Sequence, residues 1–135
     1  MADLKPTLTL TGTQAHLGAT LSLSVDDTLS VASPMIGVSM ATATTTPGDN
    51  VILPSLDVVR YVYIKHTAVD SADVATVGKI FIESNTTTGD VTDVVMELNA
   101  GEFAFFPYWG GEAGALQIKS SADTVKFEYA YWTKA

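Results

Sequence analysis

The residues in this sequence whose types and spacing could do chemistry are two histidines, three close pairs of aspartates and one cluster of aromatic rings. His16 and His66 have no second His or Cys at a ligand spacing such as HxxxH, so a zinc site is not expected. His66 closes a candidate strand and could transfer a proton; the ordinary reading of both histidines is a surface or strand-end residue. A serine hydrolase would need a nucleophile elbow such as GxSxG, and none occurs. Two carboxylates facing each other across a cleft could hydrolyse a glycoside, with Asp90, Asp93 and His66 as the candidates, but closeness in sequence does not place them across a cleft. Asp70 with Asp73, or Asp90 with Asp93 and the Gly89 carbonyl, could give calcium the oxygen ligands it accepts from irregular loops. No EF-hand order accompanies them, and such loop carboxylates, like Asp26 and Asp27, are ordinarily just solvated. The expectation is a chain with no catalytic residue, no metal and no cofactor, and therefore not an enzyme.

The aromatic cluster points to recognition. Phe103, Phe105, Phe106, Tyr108 and Trp109 put five rings into seven positions, too many for one alternating strand to bury on a single face. Some of them must meet a partner or a second layer. In an assembling protein they would fill a subunit interface, together with Leu4, Leu8 and Leu10 of the N-terminal segment. In a glycan-binding module Tyr108 or Trp109 would stack on a sugar face instead. Asn85-Thr86-Thr87 matches the glycosylation tripeptide, which is common by chance, and Gly12, Gly18 and Gly37 show no phosphate-loop order.

These residues must be positioned mainly by strands. Eighteen Thr and ten Ser, with many Val and Ile, favour extended chain, while Leu, Glu, Lys and Gln helix formers are few. Val125, Phe127, Tyr129 and Tyr131 alternate with polar or small residues, the mark of a half-buried strand. The same period of two recurs at residues 21–25 and 28–31 on either side of Asp26-Asp27, which predicts a hairpin between them. Further strands are expected at residues 7–10, 35–40, 58–66, 79–84, 93–98, 102–106 and 116–120, giving about ten in all. Turn residues separate them, and Gly101 is placed at a hairpin. Short helical pieces are conceivable only at residues 71–76 and 111–115. The fold class is all-β, an antiparallel β-sandwich or jelly-roll-like barrel of about eight to ten short strands. Residues 1–20 are less patterned and are expected to form an arm that docks on a neighbour, leaving 21–135 as one sandwich domain.

The totals narrow the partners. At 135 residues with 47% hydrophobic and 16% charged side chains, the chain has enough apolar material for a core, and it has no cysteine to staple one. A formal net charge of −8, with basic residues scattered singly from Lys5 to Lys134, disfavours nucleic acid and anionic membrane surfaces. No apolar run is long enough to span a bilayer as a helix, and the first residues lack the pattern of a cleaved secretory signal.

From Val58 onward the order of elements resembles small β-sandwich virion proteins of tailed bacteriophages, particularly capsid decoration or cement proteins. The likeness rests on Tyr61-Val62-Tyr63-Ile64-Lys65-His66-Thr67, then Lys79-Ile80-Phe81-Ile82, then Leu98-Asn99-Ala100-Gly101-Glu102-Phe103 with Pro107 following. It closes with Leu116-Gln117-Ile118 and Val125-Lys126-Phe127-Glu128-Tyr129. The resemblance implies a jelly-roll-like subunit that binds the major capsid protein on the outside of the shell and strengthens it, often as a symmetric homo-oligomer, here expected to be a trimer. It would lie in the host cytoplasm before assembly and on the virion afterwards. The alternative is a glycan- or receptor-binding module of a phage head or tail appendage.

Overall fold

Alternating side chains and β-branched residues give strands throughout, all paired antiparallel, in a computed structural model that describes residues 2–13, 20–32, 37–46, 50–53, 58–85, 92–109, 115–122 and 124–135. Among the described residues there are twelve strands and no helix. His16, Asp90, Gly89 and Gly18 lie outside the described residues, as do Thr86 and Thr87. The chain divides into two units, residues 1–35 with 134–135, and residues 36–133.

The first unit is a two-stranded ribbon. β1 (Ala2–Leu4) pairs with β4 (Leu29–Val31), and β2 (Thr7–Thr13) pairs with β3 (Thr20–Asp26). The two ladders share one register, because the step from Leu4 to Thr7 on one side is matched by the step from Leu29 to Asp26 on the other. Pro6, which has no N–H to give, interrupts them; its carbonyl accepts the Asp27 N–H at 3.3 Å. The hairpin expected between residues 21–25 and 28–31 is therefore not formed. Asp26-Asp27 is no reversal: the Asp27 carboxylate accepts the Thr28 N–H at 2.7 Å while the chain runs on alongside Pro6 and into β4. Residues on both sides of position 20, where the arm was expected to end, belong to this ribbon. At its base Val31 bridges Lys134, and the Ala135 N–H donates to the Ser30 carbonyl at 3.1 Å.

The second unit holds eight strands: β5 (Ser39–Ala43), β6 (Val51–Leu53), β7 (Val59–His66), β8 (Ile80–Asn85), β9 (Thr92–Leu98), β10 (Phe103–Trp109), β11 (Ala115–Ser120) and β12 (Val125–Thr133). They form two four-stranded sheets, in the orders β10-β7-β12-β5 and β6-β11-β8-β9. The first of these eight strands pairs with the last, the second with the seventh, the third with the sixth and the fourth with the fifth. That is a long ribbon rolled into two layers, the strand order of a jelly roll. Val62, Ile64 and Phe127 of one sheet meet Ile80, Ile82, Leu116 and Ile118 of the other in one buried core. Across that core the Ser84 hydroxyl and the Tyr108 hydroxyl lie 2.9 Å apart, a hydrogen bond from sheet to sheet.

The turn before β10 joins the two sheets. Gly101 has φ +83°, a left-handed geometry that costs glycine nothing, and the Glu102 N–H closes the turn on the Asn99 carbonyl at 3.0 Å. Because β9 and β10 lie in different sheets, this is a crossover and not the hairpin expected at Gly101. Residues 71–73 form a turn and a bend where a short helix was conceivable. β1 and β6 have three residues each and were not anticipated.

Candidate interaction surface

β10 is an edge strand, and its alternation divides the aromatic cluster between two faces. Ala104 is buried, and Phe106 and Tyr108 turn inward to pack against the core. Phe103, Phe105, Pro107 and Trp109 stand on the outer face, where Phe103 is 57% and Trp109 65% exposed. Pro107 is tolerated because an edge strand has only one ladder to serve.

The register extends this outer face across the sheet. Phe105 lies beside Tyr63 and Ala130, and Pro107 beside Tyr61 and Trp132. The Tyr61 and Phe105 rings are stacked, with centroids 6.2 Å apart and planes 13° from parallel, and Trp132 tilts against Phe105 at 6.5 Å. The next row reads Phe103, Lys65, Glu128 and Met40, so the aromatic area is bounded by one cation, one anion and an exposed methionine on the opposite edge strand. Tyr63 donates its hydroxyl to Glu128 at 3.4 Å. Partial burial, and then the neighbouring Glu128 carboxylate, push the Tyr63 phenol above its ordinary pKa, which keeps it a neutral donor. The result is a mainly aromatic sheet face with a polar border, the composition of a contact surface.

The other singled-out residues have structural partners. His66 is wholly buried at the end of β7: its Nδ1 accepts the Ala68 N–H at 2.9 Å, so the ring proton sits on Nε2 and is donated to the Gly78 carbonyl at 2.7 Å. It is a strand-end residue, as one reading had it, but not a surface one. Asp70 uses Oδ1 to accept the N–H groups of Ala72 and Val74 at 2.8 and 2.9 Å. Asp73, at φ 62°, pairs with Lys126 at 2.5 Å. Each carboxylate thus fastens its own loop, which borders an open depression lined by Thr44, Thr45, Asp70 and Thr124. Among the described residues no group of three or more His, Cys, Asp or Glu is placed to hold a metal ion.

Leu8 and Leu10 are 43% exposed on β2, and Leu4 is half-buried on β1. Two groups escaped the sequence reading. Glu83 and Gln117 are buried as a cross-strand pair, with Gln117 Nε2 donating to Glu83 Oε2 at 3.4 Å. Arg60 points into the sandwich with its guanidinium 5.9 Å from the centre of the Tyr131 ring. Only the alternation within β7 places Arg60 inward, and nothing in the spacing of Glu83 and Gln117 announces that they pair. Compared with known proteins, the chain matches no family model, no curated protein and no solved structure.

Proposed function

We propose that this chain is a structural virion subunit that binds the outer surface of a phage capsid through the aromatic face of the β10-β7-β12-β5 sheet and stabilises the shell. The observation that carries this reading is the exposed row of Phe103, Phe105 and Trp109 beside Tyr61 and Trp132 on one sheet face, bordered by Lys65 and Glu128. Aromatic side chains on a sheet lose little entropy on contact and supply much of the binding energy of protein interfaces. The eight-stranded jelly roll suits the role as an inert scaffold; fold alone assigns no function. Purified chain should co-sediment with expanded capsids of its phage and raise their resistance to heat. Phe103→Ser together with Trp109→Ala should weaken that binding at least about 30-fold, the loss expected when central aromatic contacts are removed. Absence of co-sedimentation by the unaltered chain would sink the proposal.

A second reading has one observation in its favour. The nearly parallel Tyr61 and Phe105 rings, with Trp132 beside them, form a platform on which a sugar ring could stack. Tyr108 does not belong to it, since it turns inward to Ser84. Binding on a glycan array that Trp132→Ala abolishes would favour this appendage module over the capsid subunit.

A further inference from the structure

The N-terminal ribbon carries two faces of opposite chemistry. Leu8 lies opposite Val25, Leu10 opposite Leu23, and Gly12 opposite Leu21, so one face is entirely apolar. The other face pairs Thr7 with Asp26, Thr9 with Ser24 and Thr11 with Ser22, and is hydroxylic up to that one acid. The five apolar side chains on that face are 43–60% exposed. A two-stranded ribbon with one bare apolar face is marginal in water and needs a second layer.

Charge says what that layer is. Residues 6–25 contain no Asp, Glu, Lys or Arg, in a chain of net charge −8. Two copies of so acidic a chain repel each other wherever like charges meet, and this ribbon is a surface on which they can touch without burying one. Its surface is also self-complementary. Leu21, the most exposed of the five at 60%, stands beside Gly12, where an added Cβ would meet nothing within 4 Å. A projection next to a hollow on the same face is what a symmetric contact uses, since each copy then offers its projection to the other's hollow.

We infer that the apolar face of the ribbon packs against the same face of a second copy of this chain, with Leu21 of each copy seated over Gly12 of the other. Stacked sheets lie ~10 Å apart, a spacing at which leucines from two ribbons interdigitate. The inference does not depend on a capsid partner, and it is tested without one.

The mass of the full chain would be measured by light scattering over a dilution series. The unaltered chain should give twice the single-chain mass of 14.3 kDa, and a trimer would overturn the inference, because a face that meets its own copy closes at two. Leu21→Asp should fall to the single-chain mass. Gly12→Val fills the hollow with a residue that suits a strand better than glycine, so the ribbon still forms while the dissociation constant rises tenfold or more. Thr11→Val, on the hydroxyl face, should keep the mass of the unaltered chain. A single-chain mass for the unaltered protein would overturn the inference, and flotation of that single chain with neutral phosphatidylcholine vesicles would give the face to lipid instead. Unchanged association in Gly12→Val, or equal dissociation in Thr11→Val, would also overturn it.

Discussion

His66 is held by the backbone on both ring nitrogens, one accepting from Ala68 and the other donating to Gly78. Gly78 is closely packed, since a Cβ there would lie 3.0 Å from the Ala122 carbonyl and 3.1 Å from Val125. His66→Ala would leave a half-buried N–H and a buried carbonyl unpaired, a loss of about 2–6 kcal/mol at about 1–3 per group. Urea unfolding should show a lower midpoint at an unchanged slope. Glu102 plays a similar part at the surface. Its carboxylate accepts the Asn99 N–H at 2.7 Å, and this hydrogen bond, with a second from the Asn99 side chain, holds its pKa below the ordinary glutamate value. A lowered folded-state pKa gives stability that is present above the ordinary value of 4.5 and is lost as pH falls through the folded one. Thermal unfolding followed from pH 6 down to pH 3 should therefore show a smaller drop in Glu102→Gln than in the unaltered chain. The sequence made His66 visible as a strand end. The alternation of β7 also puts it on the inner face with Val62 and Ile64, but the backbone groups that hold its ring belong to the 67–78 connection, which has no pattern of its own.

At the scale of elements, period-two alternation was a good guide wherever a strand is long and covered on one side only. β7 alternates without a break from Val59 to His66, and β8, β9, β11 and β12 lie within about two residues of where their patterns place them. β1 and β6 escaped because three residues cannot establish a period. The false hairpin at Asp26-Asp27 came from reading a polar pair as a reversal, when pairing with β1 and β2 carries the chain straight through it. β10 shows what alternation does for recognition, sending Phe106 and Tyr108 to the core and Phe103, Phe105 and Trp109 outward. Five rings in seven positions announced that division; which ring went to which face awaited the register with β7. Tyr108→Phe keeps the ring and removes the only oxygen that Tyr108 offers Ser84. It should lower stability by about 1 kcal/mol, read as a shift of the denaturation midpoint, while binding through the outer face is unaffected.

For the molecule as a whole, the pairing of first strand with last is decisive. β5 can complete its ladder only with β12, at the far end of the unit, and β6 only with β11. Every such closure costs loop entropy before any contact repays it, so the eight-stranded unit should refold slowly, on the ms–s scale of all-β domains or beyond. Stopped-flow fluorescence of Trp109 and Trp132 would measure this, and a microsecond phase carrying the full amplitude would contradict it. This order was out of reach of the sequence, since alternation fixes which face a residue takes and says nothing of which strand lies beside it.

The β5–β12 pair also fixes how the rolled unit answers to a pull. Ser39 opens β5 opposite Tyr129, and Thr133 closes β12 beyond it, so the two ends of the unit leave from the same end of one antiparallel ladder. Tension applied through those ends loads the cross-strand hydrogen bonds singly, in the manner of a zipper, and the ladder parts at low force. Compression or shear spread over the sheet face loads all four strands together. In the role proposed above, a subunit built this way would resist a swelling surface by lying against it and would make a poor tether.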